Sequence, residues 1–198
     1  LRAWRDAVGP QFAITVVLPR IVGALDASAD AKQALAGALA AARRLEARAI
    51  VLQTPPSVRP TKTQCERIVR TLGALPRVAV TVAWEPLGIW EPEEIRATAR
   101  AAQAVAVLDA AQDELLAGPV VYTRLRALGT QARLSRHLDR VAAQLTGRRE
   151  AYVVIDDPAA ALGAKKALEA ALSSAGSADG AVVVRHMQGR LRAEDEEQ

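Results

Sequence analysis

Short runs of β-branched and aliphatic residues alternate along this chain with longer amphipathic stretches rich in alanine, arginine and glutamate. The apolar runs are Ile14–Leu18, Ala49–Leu52, Val78–Val82, Val105–Leu108, Val120–Thr123 and Tyr152–Ile155. Each has the length of a strand and is nearly continuous in apolar character. That is the pattern of parallel strands buried on both faces. A seventh run, Ala181–Val184, lies near the end.

The intervening stretches predict helices. Ser28 is placed to cap a helix running to Arg48, with Leu35, Leu39 and Leu45 along its apolar stripe. Thr61 or Thr63 opens the next, which ends near Gly73. Pro92 suits a first helical turn, and Glu93 and Glu94 complement the positive end of that helix. Leu134, Leu138, Val141 and Leu145 form one stripe ending before Gly147. Asp157-Pro158 reads as a cap followed by a first turn, for a helix through Ser173. The weak link is Ala110–Gly118, where the helical stretch is short.

Parallel strands need right-handed helical crossovers, so the pattern fits an open doubly wound sheet or a (β/α) barrel. No Gly-x-Gly-x-x-Gly follows the first strand, and no Gly-x-x-x-x-Gly-Lys-Ser/Thr occurs anywhere. That argues against the commonest nucleotide-binding open sheets.

Composition narrows the class. The 198 residues are 51% hydrophobic and 24% charged, enough apolar surface to order one full-size core. One cysteine, Cys65, excludes a disulfide framework and a multi-cysteine metal site. No apolar run approaches the ~18 residues that span a bilayer, and no secretory leader opens the chain, so the expectation is a cytoplasmic protein with no membrane partner. The net charge of +4 comes almost wholly from arginine, scattered along the sequence, with aromatics at only 3%. Clustered basic residues interleaved with aromatics mark nucleic-acid binders, so nucleic acid is disfavoured as a partner.

Four segments resemble the YecE-like family, Domain of Unknown Function 72, whose members form TIM-type barrels. Phe12–Arg20 is similar to its strand ending in Lys-Ala-Pro-Arg. Val51–Ser57 is similar to its Phe-Gln-Leu-Pro-Pro-Ser segment. Val121–Gly129 resembles its Tyr-x-Arg-Leu-His-Gly strand, and Tyr152–Asp157 its Tyr-Val-Tyr-Phe-Asn-Asn strand. The resemblance implies an α/β TIM-type (β/α) barrel, here an incomplete one of about six or seven mostly parallel strands with outer helices. The family's first two strands, with their Gly-Thr-Ser-Gly-Trp and Asn-Ser-Thr-Phe-Tyr motifs, have no counterpart, and the chain opens on Leu1. The expected organisation is a single barrel-like domain over residues 1–175, then a linker, a short strand and an acidic tail over 176–198.

The resemblance also implies charge loss. The family carries Lys on its third strand, Glu-x-Arg on its fifth, His on its seventh and Asn-Asn on its eighth. The matching positions are Val17, Thr81 and Ala83, Arg126, and Asp156 and Asp157. Joint replacement of a same-face Glu and Arg removes both charges without stranding either. The pocket thus reads as retired from an ancestral chemistry.

In such barrels a site lies at the carboxyl ends of the strands. The candidate ligand-binding residues there are Arg20, Gln53, Trp84, Glu85, Asp109, Tyr122, Arg124, Arg126 and Asp156. Arg20, Arg124 and Arg126 together could take a phosphate or another anion; alternatively they pair with Glu85, Asp109 and Asp156 as a structural network. Trp84 and Trp90 flank a loop that either stacks on a ligand or lids the mouth. Asp157 reads as a helix cap, His137 and His186 as solvated, and Cys65 as unreactive. No cofactor or metal is expected.

The functional expectation is a divergent barrel with a degenerate mouth, serving as a binding or protein-interaction module. The rival is an enzyme of phosphate-containing or nucleic-acid substrates built on the same arginines. Too few strands to close a barrel predict a homodimer or an obligate protein partner, with Leu1–Arg20 near the contact.

Overall fold

In the computed structural model, which describes residues 2–9, 12–126, 131–156, 158–174 and 181–184, seven strands form one parallel sheet. They are β1 (Thr15–Val17), β2 (Ala49–Thr54), β3 (Thr81–Pro86), β4 (Val105–Leu108), β5 (Val120–Leu125), β6 (Glu150–Ile155) and β7 (Ala181–Val184). The helices are α1 (Arg2–Val8), α2 (Arg20–Gly23), α3 (Ala29–Arg44), α4 (Lys62–Gly73), α5 (Pro92–Ala101), α6 (Gln131–Leu145) and α7 (Pro158–Ser174).

The strands lie side by side in chain order, β1 to β7, and every pair is parallel. That order decides between the two architectures. A doubly wound sheet reverses direction at a switch point. Sequential order with right-handed crossovers keeps every helix on one face, which is barrel winding. The side chains agree. One parity of strand residues, including Ile50, Leu52, Val82, Trp84, Leu108, Val121, Val153 and Ile155, packs with Ile68, Leu72, Ile95, Val141, Leu145 and Leu168 of the helices. The opposite parity forms a separate cluster of strand residues alone: Ala49, Val51, Ala83, Val107, Tyr122 and Tyr152. The protein is an incomplete α/β barrel, with helices outside and this second cluster on the inner face.

Local signals account for the helix starts. Ser28 accepts from the Ala31 amide and Thr61 from the Gln64 amide, each satisfying an orphan donor of a first turn. Glu94 accepts from the Glu91 amide where Pro92 opens α5. The Ala181–Val184 run is a full member of the sheet, pairing with β6 from Glu150↔Ala181 to Val153↔Val184. The expected cap Asp157, the tail and His186 lie outside the described residues.

Three expectations are corrected. The third strand begins at Thr81 and continues through Trp84, Glu85 and Pro86, so those residues are strand rather than loop. Ala79 sits at φ 60° and Val78 is 92% exposed, so the chain is still turning where the apolar run starts. The helix after Ser28 ends at Arg44, because Glu46 adopts φ 50° and turns the chain into β2. Between β4 and β5 there are turns and no helix; the side chain of Gln144 on α6 holds that segment instead, as described below.

β1 is only three residues long, and among the described residues nothing pairs with its outer edge. Trp4, Val8, Val17 and Ile21, all near that edge in sequence, are exposed apolar side chains.

Candidate functional site: an ion-pair network at the strand ends

Alternation along four strands carries polar residues onto the inner face just beyond its apolar cluster. Gln53 follows Val51, Glu85 follows Ala83, Arg124 follows Tyr122, and Asp156 follows Val154, each two residues on. Register aligns them: Gln53 is opposite Glu85 across β2 and β3, and Arg124 is opposite Val154 across β5 and β6.

Glu85 is the hub. Its side chain is 1% exposed, and its carboxylate accepts from Gln53 Nε2 at 2.9 Å, from Arg124 Nη1 at 3.0 Å, and from Arg126 Nη2. Arg124 also donates through Nε to Asp156 Oδ1 at 2.8 Å. A buried carboxylate is tolerated only when paired and hydrogen-bonded, and this one is both. Burial alone would pull the Arg124 guanidinium down, yet the carboxylates of Glu85 and Asp156 outweigh it and hold Arg124 above its ordinary range. Burial falls off outward: the Asp156 side chain is 40% exposed and that of Arg126 45%.

Asp109 stands beside the network in a different role. Its Oδ1 accepts from the Ala111 amide and its Oδ2 from the Arg126 amide, so it shapes the turn after β4 and ties it to the end of β5.

Beneath the ion pairs lie two aromatic rings. Tyr122 and Tyr152 stack with centroids 5.4 Å apart and planes 15° from parallel. The Tyr152 hydroxyl donates to Glu150 Oε1 at 2.5 Å, and it also lies 3.2 Å from the Arg48 carbonyl oxygen. The Tyr122 hydroxyl bonds Thr15 on β1. Both rings therefore reach across the inner face toward the first strands. Burial pushes the Tyr122 phenol up to about 12 and raises Tyr152 as well.

Of the nine candidates, Gln53, Glu85, Arg124, Arg126 and Asp156 join one network. Asp109 borders it and Tyr122 floors it. Two lie elsewhere. Trp84 is on the opposite parity of β3, fully buried against the helices, with Nε1 donating to Thr54 Oγ1 at 3.1 Å and Trp90 packed edge-on at 5.0 Å. Trp84 and Trp90 are thus part of the outer core. Arg20 is exposed at the start of α2 and bonds none of the mouth residues. Tyr152 and Thr15 escaped the sequence reading as site residues, although the two-residue step back from Asp156 through Val154 reaches Tyr152. Cys65 accepts from Thr98 Oγ1 at 3.6 Å, between α4 and α5.

The order of strands, the absence of a switch point and the polar inner rim are all barrel features, and one comparison gives the lineage. The family model described as "Protein of unknown function DUF72" matches residues 1–185. The chain belongs to the DUF72 family. Neither a curated protein nor a solved structure gives a significant match. Among the described residues, no helix of this DUF72 chain is long and apolar enough to cross a membrane.

Proposed function

We propose that this DUF72 chain is a binding and protein-interaction module, its barrel mouth braced by ion pairs. The observation carrying this reading is the state of Glu85. General acid–base work needs a carboxyl group free to exchange a proton with a substrate. Both oxygens of Glu85 are committed to arginines, and both of Asp109 to backbone amides. Such commitments stiffen a scaffold.

Interaction is the complementary half of the reading. An unpaired edge strand is a template for another chain, and proteins cover or pair such edges. The outer edge of β1 has Val17 exposed beside it, with Trp4, Val8 and Ile21 close by in sequence. The proposal is self-association through this region. Light scattering across micromolar concentrations tests it: a dimer is expected for the wild type, and a loss of dimer for Val17→Lys. A wild-type monomer overturns the assembly.

One observation favours a second reading, an enzyme of phosphate-containing substrates. Arg124 and Arg126 retain N–H groups not used within the network, and both side chains are partly exposed. A phosphomonoester turned over by the wild type, and not by Arg126→Gln, would establish it.

A further inference from the structure

We propose that Arg124 and Arg126 form a binding site for a small dianion, the phosphate group of a soluble monoester, for which Asp156 is the internal competitor. The inference concerns a ligand and does not depend on the assembly of the chain.

Its first support is geometric. The two arginines leave β5 two residues apart, so they point to the same face. Both touch one carboxylate, Arg124 through Oε2 of Glu85 and Arg126 through Oε1. Their guanidinium planes are therefore held next to each other by a buried, rigid anchor. Arginine forks matched to tetrahedral or planar anions are most useful when preorganised in this way.

The second support is the division of labour among donors. Arg124 uses Nε and Nη1, leaving Nη2 without a partner among the described residues. Among the described residues Arg126 uses Nη2 alone, leaving Nε and Nη1. Both arginine side chains are partly exposed, so these groups can converge on one anion.

The third is the contrast between the two carboxylates that hold Arg124. Glu85 cannot leave, because its charge is enclosed. Asp156 is 40% exposed and can exchange its partner for water. Displacing it frees the Nε edge of Arg124, the edge that with Nη2 makes a bidentate fork. A monoanion gains nothing over the tethered Asp156 carboxylate, which is already in place. A dianion carries the second charge that makes the exchange favourable.

Titration of the full chain with sodium phosphate, sulfate and acetate, followed by calorimetry or amide chemical shifts, tests this. Phosphate and sulfate should compete for one site with a dissociation constant of about 1 mM or tighter, and acetate should bind roughly tenfold more weakly. Asp156→Asn removes the competitor and should tighten phosphate binding by roughly threefold or more. Arg126→Gln keeps the Glu85–Arg124 pair, so the scaffold stays folded, and should weaken binding roughly tenfold. Arg20→Gln should leave it unchanged. The proposal is overturned if phosphate does not bind, if acetate binds equally well, if Asp156→Asn weakens binding, or if Arg126→Gln leaves it intact. Light scattering on the same samples separates any of these failures from a failure of self-association.

Discussion

Glu85 on β3 and Arg124 on β5 meet over the end of β4, with Oε2 of one 3.0 Å from Nη1 of the other. The bridge skips a strand because β4 stops at Leu108 and the chain turns away at Asp109. It therefore links two strands, β3 and β5, that are separated by β4 and do not pair with each other. Removing one partner of a buried pair costs about 3–5 kcal/mol, much of it from the group left behind. Glu85→Leu should cost about 3 kcal/mol, near the bottom of that range because both arginines keep some solvent. The double variant Glu85→Leu with Arg124→Met should cost at least ~1 kcal/mol less than the sum of the singles. Urea denaturation of the four proteins reads this cycle; simple additivity would show that the bridge carries no coupling.

Gly23 in α2 lies against the strand that presents Gln53. A Cβ built on it would stand 2.0 Å from the Gln53 carbonyl oxygen, which is backbone and cannot rotate away. Gly23→Ala must push α2 off β2, and overpacking of this kind costs about 1–3 kcal/mol. Gly37, in the middle of α3, meets nothing within 4 Å, so Gly37→Ala should stabilise by about 0.5–1 kcal/mol through helix propensity alone. Thermal unfolding should move in opposite directions for the two variants. Equal shifts would refute the close approach.

The polar rim was legible because the strand period is two and parallel register is unforgiving. Once Val51, Ala83, Tyr122 and Val154 are placed inward, Gln53, Glu85, Arg124 and Asp156 have no other face to occupy. Trp84 was not legible, because residues 78–86 offer two overlapping apolar windows of strand length. Only the pairing of Ala49 with Thr81 selects the later one, and pairing is a property of the neighbouring strand. Arg20 was misjudged for a related reason. Pro19 ends the extended segment and the chain enters α2 at once, so a residue just past a strand end need not stay at the mouth. The missing helix between β4 and β5 was visible as a weak link, because the helical stretch of Ala110–Gly118 is short. Its replacement by a distant glutamine, Gln144, had no local signal at all.

Alkaline pH offers a test of the aromatic floor. The Tyr122 phenol is held at about 12 by burial, against 10 for an exposed tyrosine. The folded state therefore binds the proton more tightly than the unfolded chain. The stabilisation is complete below pH 10, and it is lost as pH rises through 12. Two units correspond to about 3 kcal/mol, so stability should fall by that order across this window. Tyr122→Phe cannot titrate there and should flatten the profile, although Tyr152, raised in the same sense, leaves a residual slope. Chemical denaturation at stepped pH values measures both, and identical profiles for wild type and Tyr122→Phe would remove Tyr122 from the account.

Gln144 does the work of the helix that the β4–β5 crossover lacks. Its Oε1 accepts from the Leu115 amide at 2.6 Å, and its Nε2 donates to the carbonyls of Ala110 at 2.8 Å and Asp113 at 3.0 Å. One side chain thus satisfies three backbone groups of a turn-only segment that must cover the outer face of the sheet. Leu115 is buried in the outer core that also holds Ala106 and Val121, and Leu116 packs against it. Gln144→Leu keeps the bulk and removes the hydrogen bonds, leaving backbone groups of the segment unsatisfied at about 1–3 kcal/mol. Gln144→Glu keeps an acceptor for Leu115 but sets a carboxylate against two carbonyl oxygens, so it should be at least as damaging. Because the damage is local, amide exchange at residues 110–116 should quicken well before that of β2 and β3. Uniform acceleration across the sheet would instead mean that Gln144 supports the whole fold, and unchanged exchange at 110–116 would mean that the apolar contacts of Leu115 and Leu116 hold the segment without it.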